Sequence, residues 1–313
     1  MSDSLRRVFG ILILLTVAVL ALSREPDRSV ESLVARWAPP PSDFVDLGGQ
    51  LVHLRDVGPR SDPLPIVLVH GTSASLHTWE GWVRELARTR RVIVFDLPGF
   101  GLTGPRADGD YARDADARFT LALLDRLQVQ RFVIGGNSLG GMVSWRVATL
   151  APERVERLIL VDAVGVPTEL RSIPLGWRIA RLPVIGAISE WVLPRPLVVQ
   201  GLVTAYADPE KITGEVVDRY FELTLREGNR AALRQRLQQF EPDADAERIA
   251  TIRQPTLILW GAQDRVVPLA AGREFQRRIA GSELVVFEPL GHVPHEEDPV
   301  ASLVPVKAFL GIP

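Results

Sequence analysis

The sequence contains no cysteine, little net charge and few histidines. The absence of cysteine among its 313 residues excludes disulfides, thiolate nucleophiles and cysteine-ligated metals, and it leaves the compartment open. The formal net charge is −2, so the basic excess typical of a nucleic-acid-binding surface is missing. The five histidines show no H-E-x-x-H or similar ligand spacing. We therefore expect no metal, no cofactor and no nucleic-acid partner.

Charge and hydropathy set the N-terminus apart from the rest of the chain. Residues 8–22 form an apolar run that follows Arg6 and Arg7. It is shorter than the roughly 20 residues that span a bilayer comfortably. Three interpretations remain: an uncleaved anchor, a secretory signal with Ala21 and Ser23 before the cut, or a buried helix. We expect residues 1–23 to be a membrane anchor or signal segment, which would place the protein at or beyond a bacterial-type inner membrane.

The next segment, residues 24–42, is charged, then amphipathic, and ends in three consecutive prolines. Consecutive prolines favour an extended spacer and end any helix before them. This composition predicts a proline-rich stalk between the N-terminal segment and the folded domain. No long polar tract divides the remaining chain, so we expect one large core with an inserted subdomain.

From residue 44 onward, apolar runs alternate with helical patterns. A hairpin with a glycine turn is predicted at residues 44–55, and the later apolar runs have the character of strands buried on both faces of a parallel sheet. The predicted buried strands are 65–69, 91–95, 131–135, 155–162, 254–260 and 283–287. Such alternation predicts a doubly wound α/β fold whose ligands bind at the carboxyl ends of the strands.

The pentapeptide from Gly136 to Gly140, Gly-Asn-Ser-Leu-Gly, separates one of these strands from a helical pattern. A strand, a glycine-flanked serine and a helix together are typical of a nucleophile elbow. The turn strains the serine backbone, and side chains two residues before and after it would collide with neighbouring backbone. Ser138 is therefore the predicted nucleophile, with the helix amides directed at the same point.

Further motifs accompany the elbow in a characteristic order. His70 and Gly71 end a buried strand, and residues 96–101 read Asp-Leu-Pro-Gly-Phe-Gly. Together with Gly-x-Ser-x-Gly, they resemble the α/β-hydrolase superfamily, and the resemblance extends from Phe44 to the C-terminus. It implies a mostly parallel sheet with a core at residues 43–163 and 250–313 and a helical cap at residues 164–249.

The same resemblance assigns a set of site residues. Ser138 would be the nucleophile, His292 the general base and acid, and Asp264 the residue that orients the histidine, in the chain order of this fold. The backbone amides of Thr72 and Leu139 would form the oxyanion hole.

Competing assignments exist for several of these roles. Asp162 occupies the strand end from which some family members draw the acid, and His295 lies three residues beyond His292. His70 and Asp96 are expected to orient their loop and turn, and His53 to be a strand residue without a catalytic role.

The serine nucleophile directs the functional hypothesis towards acyl chemistry. Haloalkane dehalogenases and epoxide hydrolases of this fold use an aspartate at the elbow, so Ser138 argues against both. We expect a serine hydrolase that cleaves a small apolar carboxylic ester through an acyl-enzyme. The alternatives are carbon–carbon bond hydrolysis of a ring-fission dienoate, cofactor-free perhydrolase or lactonase activity, and non-catalytic binding. Carbon–carbon hydrolases of this kind usually carry tryptophan after the catalytic histidine, where this chain has Val293.

Overall fold

The computed structural model describes residues 24–112, 114–168, 175–182 and 185–312. Within these ranges the strands form a single eight-stranded sheet. In chain order the strands are β1 (Ser42–Leu47), β2 (Gln50–Val57), β3 (Ile66–Val69), β4 (Val92–Phe95), β5 (Phe132–Asn137), β6 (Val155–Val161), β7 (Thr256–Gly261) and β8 (Glu283–Phe287).

The helices of the described ranges fall into three groups: one before the sheet, those that flank the sheet, and those inserted between β6 and β7. They are α1 (Val30–Trp37), α2 (Glu80–Leu86), α3 (Ala115–Arg126), α4 (Leu139–Leu150), α5 (Leu175–Ala180), α6 (Ile185–Ile188), α7 (Arg195–Ala205), α8 (Gly214–Thr224), α9 (Asn229–Gln239), α10 (Leu269–Arg278), α11 (Pro294–Glu297) and α12 (Pro299–Leu310).

The sheet has the order β1-β2-β4-β3-β5-β6-β7-β8. The first two strands pair antiparallel, β2 pairs antiparallel with β4, and every later pairing is parallel. This topology confirms the predicted doubly wound, mostly parallel α/β fold. The carboxyl ends of β3, β5, β6 and β7 therefore meet at one edge of the sheet, where the predicted site residues follow these strands.

The sheet separates two hydrophobic cores. Along β3, Val67 and Val69 pack into one cluster, while Ile66 and Leu68 pack into the other. Successive side chains of a strand point to opposite faces, so a fully apolar strand is needed where both faces are covered by helices. This explains why the sequence showed continuous apolar runs here and alternation only in β1 and β2.

The predicted hairpin is confirmed at β1 and β2. Leu47 pairs with Gln50 across a two-residue turn, and the turn residues Gly48 and Gly49 have φ values of 64° and 91°. A two-residue hairpin turn with positive φ at both positions strongly favours glycine.

Helices α5 to α9 lie between β6 and β7 in the chain, within residues 164–249, and are called the cap below. The predicted division into a core and a cap domain stays a prediction. The last two of these helices are α8 and α9. The cap is linked to the core by buried charges: Arg219 of α8 forms an ion pair with Glu296 of α11, and Tyr220 donates a hydrogen bond of 2.8 Å to the same carboxylate.

The segment that the sequence predicted as a stalk is not simply an extended spacer. Residues 30–37 form α1, whose Leu33 and Trp37 are buried against Leu102 and Leu223. The amphipathic face of this helix gains more by packing on the cap than by standing in solvent. The prolines that suggested a spacer instead follow the helix and lead into β1.

Backbone hydrogen bonds hold the residues before α1 on the cap as well. Arg24 forms an isolated bridge with Val192, and the Glu25 amide donates to the Trp191 carbonyl over 3.2 Å. The predicted anchor or signal at residues 1–23 lies outside the described residues. Of the helices that the structure describes, none combines the length and hydropathy needed to cross a bilayer.

Replacing Trp37 with alanine tests the docking of α1. The side chain is 5% exposed, and its indole Nε1 donates to Glu222 Oε2 over 2.7 Å. We expect Trp37→Ala to lower the free energy of unfolding by about 3–5 kcal/mol, as for other large buried aromatics, measured by urea denaturation. Trp191, which is 62% exposed, provides the control, and Trp191→Ala should cost less than about 0.5 kcal/mol. Equal losses in the two variants would contradict the docking.

Candidate active site

Ser138 stands at a sharp turn between β5 and α4. Its backbone has φ 55° and ψ −115°, a strained conformation for a residue other than glycine. A Cβ on Gly136 would lie 2.2 Å from the Gly140 carbonyl oxygen, and a Cβ on Gly140 would lie 2.0 Å from the Val69 carbonyl oxygen. Both glycines are thus required by close backbone approaches, as the sequence predicted, and the turn projects the serine at the edge of the sheet.

Asp264 and His292 form a hydrogen-bonded pair on the loops that follow β7 and β8. The histidine Nδ1 lies 2.7 Å from Asp264 Oδ2. The other carboxylate oxygen, Oδ1, accepts the amides of Val266 and Val267 at 2.7 and 2.9 Å. With Asp264 as acceptor, Nδ1 carries the proton, and Nε2 is left with a lone pair that can accept one.

Asn137, which the sequence analysis did not single out, links the elbow to the histidine loop. Its side-chain Nδ2 donates to the His292 carbonyl at 2.9 Å and to the Val161 carbonyl at 3.2 Å. The side chain is almost fully buried. The signal available in the sequence was an amide in an otherwise apolar buried strand, because buried polar groups require partners.

Hydrogen bonds also connect the loop that contains His292 to the cap and to α11. The His292 amide donates to the Ala205 carbonyl at 2.7 Å, and Glu297 Oε2 accepts the Gly291 amide at 2.8 Å. The same carboxylate accepts the amides of Ala207 and Asp208 at 3.2 and 2.9 Å. The end of α7 and the histidine loop are therefore fixed to each other.

The two expected oxyanion donors belong to segments that contact or adjoin Ser138. Leu139 is the first residue of α4, so its amide belongs to the first helical turn, whose N–H groups have no acceptor within the helix. Thr72 follows Gly71, and a Cβ on that glycine would lie 3.2 Å from Ser138 Cβ. The arrangement can direct two amides at one oxygen beside the serine.

His70 is held by two backbone groups and is not positioned as a base. Its Nδ1 donates to the Gly71 carbonyl at 2.7 Å, and its Nε2 accepts the Leu97 amide at 2.9 Å. Complete burial lowers the pKa of His70, which keeps the ring neutral in this arrangement. The contacts agree with the interpretation that this histidine orients its loop.

Asp162 lies behind the Asp264–His292 pair. One ligand atom from each of these three residues lies within 4.8 Å of the others. Asp162 Oδ1 accepts the Gly261 amide at 3.0 Å, and the carboxyl group also forms a side-chain hydrogen bond with Asp264. Burial first, and then the Asp264 charge, raise the pKa of Asp162 well above its usual range. Asp162 is therefore a neutral neighbour of the Asp264–His292 pair.

His295, the other candidate base, is placed elsewhere. Its ring stacks on Trp79 at 4.0 Å between centroids, and its Nε2 lies 3.0 Å from Thr78 Oγ1. Complete burial lowers the pKa of His295 well below its ordinary value. It supports the packing of α11 against the turn before α2.

A second serine–histidine–aspartate arrangement is present on the far side of β3. His53 Nδ1 lies 2.7 Å from Asp96 Oδ2, and its Nε2 lies 3.0 Å from Ser42 Oγ. This serine is in regular β1 backbone, and its oxygen also accepts Arg55 Nε at 3.0 Å. Asp96 additionally accepts the Leu102 amide at 2.8 Å, so it pins the following turn as expected. Ser42, His53 and Asp96 thus have the spacing of a catalytic triad, but the serine does not lie on a strained strand-to-helix turn. Their hydrogen bonds attach β1 to the core.

Substituting Asp162 tests its protonation in the folded chain. Because its pKa is raised, the folded protein keeps a proton that the unfolded chain releases above about pH 3.9, so stability falls as pH rises from there. Asp162→Asn keeps the acceptor for Gly261 and removes this penalty. We expect it to raise the free energy of unfolding by at least about 1 kcal/mol at pH 8.

The gain in the free energy of unfolding of Asp162→Asn over the wild type should shrink as the pH falls towards about 4. Urea denaturation at a series of pH values measures it. Glu288, an exposed carboxylate, supplies the control variant Glu288→Gln, for which no such pH-dependent gain is expected. If Asp162→Asn were instead less stable than the wild type at pH 8, the folded protein would hold Asp162 in its charged form, which would contradict the prediction.

Comparison with known proteins agrees with this geometry. A family model described as alpha/beta hydrolase fold matches residues 65–299. A 2-hydroxy-6-oxo-2,4-heptadienoate hydrolase from Pseudomonas putida is 32% identical over 257 residues, which cover 78% of this chain and 87% of that protein. A 2-hydroxymuconate semialdehyde hydrolase from a Pseudomonas species is 30% identical over 239 residues, covering 73% and 80%.

A solved structure shares the fold. The meta-cleavage product hydrolase from Pseudomonas fluorescens superposes with a TM-score of 0.74 at 24% identity, covering 86% of this chain and 97% of that one. The matched region of the family model contains Ser138, Asp264 and His292. The chain belongs to the α/β-hydrolase fold family and is a hydrolase of that family.

Proposed function

We propose that this protein is a serine-dependent hydrolase that cleaves a carbon–carbon bond in a ring-fission dienoate. The observation that carries the proposal is the 32% identity to a 2-hydroxy-6-oxo-2,4-heptadienoate hydrolase across 78% of this chain and 87% of that relative. The sequence alone favoured carboxylic esters and kept this reaction as an alternative. The similarity to carbon–carbon bond hydrolases makes carbon–carbon cleavage the main proposal and ester hydrolysis the alternative.

The proposed roles follow from the contacts around Ser138. His292 accepts the serine proton as Ser138 attacks the ketone carbon, while Asp264 stabilises the imidazolium through Nδ1. The negative charge that develops on the ketone oxygen faces the amides of Thr72 and Leu139. The substrate reacts as its 2,6-diketo tautomer, in which the 2-hydroxyl proton has moved to C5. The C5–C6 bond then breaks, and its electron pair is delocalised through the C3–C4 double bond onto the 2-keto oxygen, which takes up a proton from His292. Water hydrolyses the resulting acyl-Ser138 to a carboxylic acid.

Hydrolysis of a carboxylic ester is the second candidate, and Val293 is the observation that favours it. The residue packs with Leu202, Tyr206 and Val217 of the cap in an apolar cluster, where carbon–carbon hydrolases of this fold usually have tryptophan. An ester needs no conjugated carbon leaving group, so the same serine and histidine suffice for it. The two reactions differ in the leaving group and share every residue of the first half-reaction.

Turnover by the Ser138→Ala and Ser42→Ala variants tests the proposed nucleophile. With 2-hydroxy-6-oxo-2,4-heptadienoate as substrate, loss of the dienoate absorbance reports cleavage. We expect Ser138→Ala to lower kcat by about 10³-fold or more. Ser42→Ala removes the serine of the second serine–histidine–aspartate arrangement and should change kcat by less than about twofold.

Substrate choice separates the two candidate reactions. If the folded protein cleaves p-nitrophenyl butyrate with a burst and leaves the dienoate intact, ester hydrolysis replaces carbon–carbon cleavage as the function. Turnover of neither substrate by a folded protein, or equal activity of Ser138→Ala and the wild type, would contradict the serine hydrolase proposal itself.

We propose in addition that the protein associates with a lipid surface through residues 8–22 and the adjoining cap. Several apolar side chains of the cap are exposed: Trp191 at 62%, Leu175 at 48%, Leu182 at 44% and Ile188 at 39%. The Glu25 amide donates to the Trp191 carbonyl, so the chain that follows the apolar run passes directly beside this surface. Exposed tryptophan is typical of a membrane interface, because its ring is apolar and its N–H is polar.

Sedimentation with lipid vesicles tests this association. The full chain should sediment with phosphatidylglycerol and phosphatidylcholine vesicles, and the double variant Trp191→Ser, Ile188→Ser should sediment several-fold less at limiting lipid. Val300, which is 79% exposed on α12, provides the control Val300→Ser, for which unchanged sedimentation is expected. A full chain that stays in solution with both lipids would contradict the proposal.

A further inference from the structure

A small cavity lies between the cap and the loops that frame the candidate site. Its walls are the loop after β3, the turn at residues 99–101, the end of α8 and the start of α9. Its volume is about 10 Å³, which is room for about one water-sized group. Because Ser73 of the first wall directly follows Thr72, the cavity adjoins the expected oxyanion loop.

Asn229 of α9 presents an unused acceptor to this cavity. The residue is 3% exposed. Its Nδ2 donates to the Gly101 carbonyl at 3.0 Å and to the Leu223 carbonyl at 2.8 Å, so both amide hydrogens are engaged and the orientation of the amide is fixed. Oδ1 is buried and has no hydrogen-bond partner, and Asn229 lines the cavity.

Ser73 presents a second unused polar atom to the same cavity. Its Oγ is buried without a hydrogen-bond partner, and its backbone has a φ of 62°. The other hydroxyl of the cavity wall behaves differently, since Thr224 Oγ1 donates to the Tyr220 carbonyl at 2.7 Å. The free hydrogen-bonding capacity is therefore confined to one hydroxyl and one amide oxygen.

Two buried polar atoms without partners are costly, at about 1–3 kcal/mol each, and the two residues that carry them line the same one-group cavity. A hydroxyl group satisfies both, because its hydrogen donates to Asn229 Oδ1 while its oxygen accepts from the Ser73 hydroxyl. We propose that the cavity is a substrate subsite that selects a hydroxyl group close to the reacting carbonyl, with Asn229 and Ser73 as the specificity-determining residues. This rests on the proposed function in placing the carbonyl at Ser138.

Binding of matched acids tests the subsite without turnover. Full-length Ser138→Ala protein is titrated calorimetrically with pentanoate and with 2-, 3- and 4-hydroxypentanoate. One hydroxylated isomer should bind about tenfold more tightly than pentanoate, the effect of one to two added buried hydrogen bonds. The preference should disappear when Ser73→Ala is added. It should survive the addition of Thr224→Val, which removes the hydroxyl of the cavity wall that is already engaged.

Several outcomes would overturn the subsite. Equal binding of all four acids, or no measurable binding of any of them, would do so. A preference that persists in Ser73→Ala would do so as well, because the cavity would then hold only a water molecule. If Ser73→Ala does not fold, Ser73→Gly, which adopts positive φ without strain, takes its place. Loss of the preference with normal turnover by the wild type overturns the subsite alone. A clear preference combined with activity in Ser138→Ala overturns the proposed function alone.

Discussion

The strained turn at Ser138 is the constraint on which the candidate site depends. Its positive φ is held because α4 begins in direct contact with the end of β3, at a distance that leaves no space for a Cβ on Gly140. The same contact brings the loop containing Thr72 beside the serine. Strain of this kind persists only where the surrounding packing over-determines it, and here the covered sheet supplies that packing. The positions of the proposed nucleophile and of the loop with the expected oxyanion donor Thr72 therefore both depend on one close approach.

The proposed base, His292, and its partner Asp264 are held by a different set of contacts, which connect the candidate site to the cap. His292 Nδ1 donates a hydrogen bond to Asp264 Oδ2. The backbone amide of His292 donates to the carbonyl of Ala205 at the end of α7. Glu297 accepts amides from both the histidine loop and the cap. These hydrogen bonds attach the His292 loop directly to the end of α7. Asn229, in the proposed subsite, adds a further connection, because its side chain joins α9 to the turn at Gly101.

The local features were predictable from sequence, and the long-range ones were not. Buried strands, the hairpin turn and the elbow are specified by neighbouring residues, so periodicity and glycine placement located them to within two or three residues. The order of the motifs also identified Asp264 and His292, which the structure brings together. The docking of Trp37 on Leu223, the bond from Asn137 to His292 and the pair of free polar atoms at Ser73 and Asn229 join residues far apart in the chain. Nothing in a local pattern specifies such pairings, because they depend on how helices pack across the sheet.

Covalent labelling with a fluorophosphonate tests the central claim most directly, because it requires an activated serine and does not depend on the identity of the substrate. The full-length folded protein is treated with the reagent, digested, and mapped by mass spectrometry with and without prior replacement of His292 by alanine. The account predicts stoichiometric modification of Ser138, no modification of Ser42, and labelling slowed by about 10³-fold or more in His292→Ala. Labelling at Ser42, or a Ser138 that reacts equally fast without His292, would contradict the account.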